Sequence, residues 1–113
     1  MAAVYVSNLV INAGATFSQQ FDLAQSGDSA PLNLTGYTIA AQIRKHAGSS
    51  NPTAFTALAM DAVNGVVLIS LTPTQTTALK TGRHVYDIVI TDSAGDKTRV
   101  VEGSVLVREG VTR

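Results

Sequence analysis

The sequence contains no cysteine and no tryptophan, and its 113 residues include only two histidines, three prolines, three tyrosines and three phenylalanines. Without cysteine there can be no disulfide framework, no thiol nucleophile and no thiolate metal site. Two histidines, His46 and His84, are too few for an all-histidine zinc site. Charge is scarce as well. Eight basic and eight acidic residues balance to zero, and charged residues make up 14% of the chain, against roughly 25% in ordinary soluble domains. A neutral, charge-poor chain has no electrostatic footprint for nucleic acid or anionic lipid, so neither nucleic acid nor membrane is expected as a partner. The longest apolar runs, such as Val66-Val67-Leu68-Ile69, fall far short of the ~20 residues that cross a bilayer as a helix. The first residues lack the basic start and continuous apolar run of a signal peptide. Folding in cytoplasm is therefore expected, which leaves later release in a particle open. At 11.8 kDa the length suits a single domain, residues 1–113, with one modest two-layer core.

What the sequence has in quantity is β-branched side chains. Val, Ile and Thr number 32 of the 113 residues, and they suit a pleated surface better than a helix. A first apolar stretch covers residues 4–11 and ends at Asn12-Ala13-Gly14. Residues 16–23 then alternate, with Phe17, Phe21 and Leu23 on one parity and Ser18, Gln20 and Asp22 on the other, the period of a half-buried strand. Gln19 interrupts the apolar side, as expected near a sheet edge. Residues 24–36 read as a long polar connection. The next strand covers residues 37–44, with Tyr37, Ile39, Ala41 and Ile43 inward. After a loop at residues 45–52, residues 53–60 form a weaker strand whose alanines bury little area. Asn64-Gly65 predicts a tight two-residue turn into a strand at residues 66–71.

Thr72-Pro73-Thr74-Gln75 supplies an N-cap, a proline at the first helical position and a glutamine three residues after the cap. This predicts one short helical turn near residues 73–80, with Ala78 and Leu79 packed beneath the sheets. Strands at residues 83–91 and 97–108 follow, joined by Asp92-Ser93-Ala94-Gly95-Asp96 as a hairpin loop. About seven strands at short spacing with no long helix predict an all-β, immunoglobulin-like antiparallel β-sandwich. The main competitor is a small closed barrel. The cysteine pair, tryptophan and tyrosine-corner spacing of antibody domains are absent.

Catalytic constellations are sparse. His84 shares the inward parity of Tyr86, Ile88 and Ile90 and reads as a core or rim histidine with a backbone partner, ahead of a ligand or base. His46, at a strand end, reads as solvated. No nucleophile-elbow serine, His-Glu-x-x-His or glycine-rich phosphate loop occurs. Asp92 and Asp96 could touch calcium, but too few further oxygen ligands are in line, and bonding turn amides is the simpler role. Asp87 and Glu102 are carboxylates inside strong strands and invite a general acid/base reading; a structural ion pair is favoured. No enzyme activity and no cofactor or metal are expected.

The anomaly is an outer sheet face that is too apolar. If the strands at residues 37–44, 83–91 and 97–108 share a sheet with their larger side chains inward, Val85, Val89, Val100 and Leu106 fall outward beside Arg44, Asp87 and Glu102. Isolated exposed aliphatics are normal, but a cluster on one sheet marks a contact surface. Arg44 is expected to sit between Asp87 and Glu102. With little net charge to repel a second copy, a homo-oligomer is expected in the assembled state. Residues 1–6 could pair with a neighbour's sheet edge, and residues 110–113 are expected to protrude.

The run Leu34-Thr-Gly-Tyr-Thr-Ile-Ala-Ala-Gln-Ile-Arg44 resembles the middle strand of small bacteriophage virion domains, among them the N-terminal domain of baseplate upper proteins. The likeness continues through residues 65–71, Thr72-Pro-Thr-Gln-Thr-Thr-Ala-Leu79 and Gly82-x-x-Val-Tyr-Asp-Ile88. It closes with Asp92-x-x-Gly95, Val101-Glu-Gly-x-Val105 and Val111-Thr112-Arg113. It covers about residues 32–113, and the first thirty residues match in strand character only. The resemblance implies an immunoglobulin-like structural module of a phage particle, assembled in the host cytoplasm, with other virion proteins and copies of itself as partners. In such proteins the module is often attached to a larger fibre or adaptor; the sequence ends with the module, so a fibre-bearing or receptor-binding role is not expected. The expected function is a tail or baseplate structural protein. The alternatives are a capsid (head) decoration protein and, from a different class, a carbohydrate-binding module, which so few aromatics would serve poorly.

Overall fold

The computed structural model describes residues 5–24, 31–46, 48 and 52–110. In chain order its elements are β1 (Tyr5–Val6), β2 (Leu9–Asn12), β3 (Phe17–Asp22), β4 (Thr38–Arg44), β5 (Thr53–Ala54), β6 (Thr56–Asp61), β7 (Val66–Leu71), α1 (Pro73–Thr77), β8 (Gly82–Thr91) and β9 (Lys97–Arg108). They form two sheets. The larger runs β1-β9-β8-β4-β5, with β2 also pairing β9, and the smaller runs β3-β7-β6. The chain is an all-β sandwich, and the closed barrel is excluded by the two separate sheets.

The alternation read from the sequence is what buries the core. Val67, Ile69 and Leu71 of β7 face Ile88 and Ile90 of β8 and Val101, Val105 and Val107 of β9 in one buried cluster, joined by Ile11 and Ile43. β3 lies at an edge of the smaller sheet and, among the described residues, pairs only β7, which leaves Gln19 exposed as its position required. Not every pairing is antiparallel. β1 and β2 run parallel to β9, because β2 passes on into the other sheet instead of turning back through a hairpin. Tyr5 and Val6 thus occupy the chain's own sheet edge, where pairing with a neighbour was the expectation; residues 1–4 and 111–113 lie outside the described residues.

Four local expectations are corrected. The weak strand at residues 53–60 is two strands in different sheets: β5 pairs β4, while β6 pairs β7. The pivot is Phe55, 6% exposed, whose N–H donates to Ala41 O at 2.9 Å. Its ring lies 6.0 Å from Phe17 and 6.3 Å from Tyr86. Burying one aromatic between the layers outweighs keeping two alanine-rich halves in line.

The turn at residues 62–65 has four residues, closed by Gly65 N–H donating to Ala62 O at 3.2 Å. Of the Asn64-Gly65 pair only Gly65 has positive φ, +70°. A Cβ there would meet Leu32 O and Leu23 O at 2.6 and 2.7 Å, so the glycine also lets the neighbouring backbone close in. That approach belongs to the third correction. The connection at residues 24–36 is not wholly polar, because Leu32 and Leu34 are buried and their N–H groups donate to Leu23 O and Ala62 O.

Lastly, α1 is shorter than expected. Its capping box is present, with Thr72 at the N-cap and Gln75 returning the bond, but the helix ends at Thr77. Leu79 packs against the core while Ala78 is exposed. The buried helical residue is Thr76, whose hydroxyl donates to Ala15 O at 2.9 Å and accepts from Gly14 N–H at 3.1 Å. α1 thus clasps the β2–β3 connection.

Candidate interaction surface

The outer face of the larger sheet is built by cross-strand register. Ala40 stands opposite Val89, Gln42 opposite Asp87 and Arg44 opposite Val85. On the other side of β8, Val85 stands opposite Ser104, Asp87 opposite Glu102 and Val89 opposite Arg99. This brings Arg44, Val85, Asp87, Val89, Glu102 and Leu106 onto one face, as their parity required. Val85 is 37% and Leu106 45% exposed, while Arg44, Asp87, Val89 and Glu102 are half-buried.

Val100 does not belong to this face. It is fully buried, as is Val101, because the register of β8 and β9 shifts at residues 88–89 and leaves Val100 as the extra residue of a β-bulge. The bulge reverses parity in the first part of β9 and turns Arg99 outward. Arg99, not Arg44, therefore holds the carboxylates: its Nε lies 3.3 Å from Asp87 Oδ2 and its Nη1 3.9 Å from Glu102 Oε2. Asp87 and Glu102 are directly opposite, a like-charge pair that would repel without the arginine. Arg44 instead donates to Gln42 Oε1 at 3.1 Å. A signal for the bulge was available, since unbroken alternation through Val101, Val105 and Val107 would have pointed Arg99 into the core.

Sequence reasoning also missed how far the face extends. Val10 and Val6, 51% and 76% exposed, stand beside Leu106 and Glu102. Periodicity within one strand could not show that β1 and β2 flank β9. The surface therefore has an apolar flank of Val6, Val10 and Leu106 beside the charged group. An open recess of about 450 Å³ lies among Gln42, Arg44, Val85, Asp87, Arg99 and Glu102.

Beneath this face the first strand is pinned. Ser7 N–H donates to Glu102 O at 2.9 Å, and Ser7 O accepts from the Tyr86 hydroxyl at 2.6 Å. Ser7 O also lies where a Cβ on Gly103 would stand, so the crossing requires a glycine. Asn8 Oδ1 accepts from Ser104 N–H and Oγ at 3.1 and 3.0 Å, replacing the interrupted ladder. Burial pushes the Tyr86 phenol above its ordinary value of 10.0.

Most of the remaining candidates have structural partners. His84 is buried on the opposite face, with Nε2 2.7 Å from Lys80 O; since a carbonyl only accepts, Nε2 carries the proton. His46 is exposed. Asp92 Oδ1 accepts from Ala94 and Asp96 N–H at 2.9 and 3.0 Å, the turn-bonding role expected of it. Asp87 and Glu102 each pair with Arg99, a structural ion pair of the kind favoured over acid/base work. Among the described residues no group of three or more His, Asp or Glu could hold a metal ion, and no helix is long and apolar enough to cross a membrane.

Fold and surface together define a two-sheet β-sandwich with a mixed apolar and charged outer face. No protein-family model matches the chain, and no curated protein matches it in sequence. Solved structures do resemble it. The N-terminal domain of phage TP901-1 ORF48 superposes with a TM-score of 0.57 at 10% identity, over 94% of this chain and 98% of that one. The internalin-like protein lmo2027 of Listeria monocytogenes gives 0.47 at 10% identity, over 95% of this chain and 28% of the other. The SrpA adhesin of Streptococcus sanguinis gives 0.48 at 13%, over 96% and 57%. The last two superpose too loosely to carry weight, and at these identities the first speaks to fold alone.

Proposed function

We propose that this chain is a non-enzymatic structural protein of a bacteriophage particle, a tail or baseplate component assembled in the host cytoplasm. It acts through contacts with other virion proteins and with copies of itself. The observation that carries this reading is the superposition on the phage TP901-1 ORF48 N-terminal domain over nearly the whole of both chains. The residue patterns that resemble phage virion domains lead to the same class. We read the sandwich as immunoglobulin-type, because β3-β7-β6 packed on β5-β4-β8-β9 follows the strand order of that architecture.

The outer face of the larger sheet suits a protein contact. Apolar Val6, Val10, Val85 and Leu106 would be desolvated together, and Arg99, Asp87 and Glu102 would set register and partner choice. Among the described side chains, Phe17, Phe21, Tyr37, Phe55 and Tyr86 are all buried or half-buried, which leaves little ring surface for stacking on sugars. Labelling the chain and imaging purified particles tests the proposal. Ordered density in the tail or baseplate is expected. Absence from particles, density only on the head, or a specific hit on a glycan array would overturn it.

A further inference from the structure

A sheet ends in strands whose outward backbone groups lack a neighbour, and folds shield such edges by shortness, charge, proline or irregularity. Among the described residues, three of the four sheet edges are shielded. β5 has two residues. The β1–β2 side is interrupted at Ser7 and Asn8, and β3 carries exposed Ser18, Gln19, Gln20 and Asp22. β6 differs. Among the described residues it pairs only with β7, and residues 56–60 include no proline and no charge. Leu58 and Met60 are 57% and 55% exposed, and Val63 in the following turn 60%. Leu58 stands opposite Leu68, which stands opposite Gln20. Within the smaller sheet, among the described residues, exposed apolar side chains thus lie at the β6 edge and give way to polar ones at the β3 edge.

We propose that β6 pairs edge to edge with β6 of a second copy, antiparallel about Leu58, so that two smaller sheets join into one of six strands. The occupant is a second copy because the strand is self-complementary under that two-fold. Leu58 meets its own counterpart and Ala57 meets Ala59, which sets the large side chains together on the outer face and the small ones on the inner. The single charge of β6, Asp61, lies beyond the register shift and outside the paired segment, so no like charges face each other there. A net charge of zero removes general repulsion as well. The register shift between Ala59 and Asp61 limits the paired segment to the straight part of the strand. This contact is separate from the outer face of the larger sheet and does not rest on the phage reading.

The chain has no native cysteine, so single-cysteine variants report on it directly. Under mild oxidation Leu58→Cys should form disulfide-linked dimers at least tenfold faster than Gln20→Cys, which lies on the same face at the opposite edge. In sedimentation velocity Leu58→Lys should weaken self-association at least tenfold, with circular dichroism and melting temperature unchanged. Leu106→Asp, on the other sheet, should leave Leu58→Cys still crosslinking faster than Gln20→Cys, which separates this contact from the outer-face one. Equal crosslinking of the two cysteine variants, undiminished association of Leu58→Lys, a strictly monomeric parent chain, or crosslinking of Leu58→Cys to a different protein would each overturn the proposal.

Discussion

Tyr86 and Gly103 stand directly opposite each other on β8 and β9, and between them they hold the crossing at Ser7. Tyr86→Phe removes the hydroxyl that Ser7 O accepts and should destabilise the fold by about 1 kcal/mol in urea denaturation. The same residue gives a pH test. Because burial raises the folded phenol above 10.0, the unfolded chain loses this proton first. The folded state then binds more protons, and stability falls with rising pH. Its contribution is complete below about pH 10 and is lost as pH climbs from there through the folded value. Melting temperatures followed from pH 9 upward should drop more steeply in the parent than in Tyr86→Phe. Gly103→Ala drives a methyl into the Ser7 carbonyl and should destabilise by about 1–3 kcal/mol, with the earliest loss of amide protection in β1 and β2. Of this cluster the sequence showed Tyr86 as inward. It could not show Gly103 as a crossing point, because the backbone it admits comes from a residue nearly a hundred positions away.

Among the elements, α1 and β9 behave oppositely. The helix start was legible, because a capping box is a local pattern of four residues whose bonds close among themselves. Thr72→Ala should therefore lower stability by about 1 kcal/mol, read from denaturant midpoints. The buried role of Thr76 was not legible, since its partners Gly14 and Ala15 come from another part of the chain. In β9 the boundaries could be read and the facing only in part. Val105, Val107 and Leu106 fall where alternation puts them, but the bulge moves Val100 inward and Arg99 outward. Arg99 is solvated, with 55% of its side chain exposed, so Arg99→Ala should change stability by well under about 1 kcal/mol. A larger loss in thermal melts would show that the arginine is needed to keep Asp87 and Glu102 side by side.

At the scale of the molecule, the outer face predicts assembly more than stability. Leu106→Asp places a charge where apolar Val10 and Leu106 lie side by side in open solvent. Melting should stay within about 0.5 kcal/mol of the parent, whereas sedimentation should show loss of any association made through this face. Unchanged association with intact folding would remove the larger sheet's outer face as a contact surface.

The all-β character, most of the strand positions, the helix cap and the two-layer core follow from the sequence alone. Each is set by side-chain alternation or by turn and cap residues a few positions apart. Tertiary structure decided the rest: the split at Phe55, the parallel placement of β1 and β2, the buried Leu32 and Leu34, and the exchange of Arg44 for Arg99. Those outcomes depend on which strand lies beside which and on where a bulge absorbs one residue. Long-range packing energy selects among arrangements that local periodicity leaves equal.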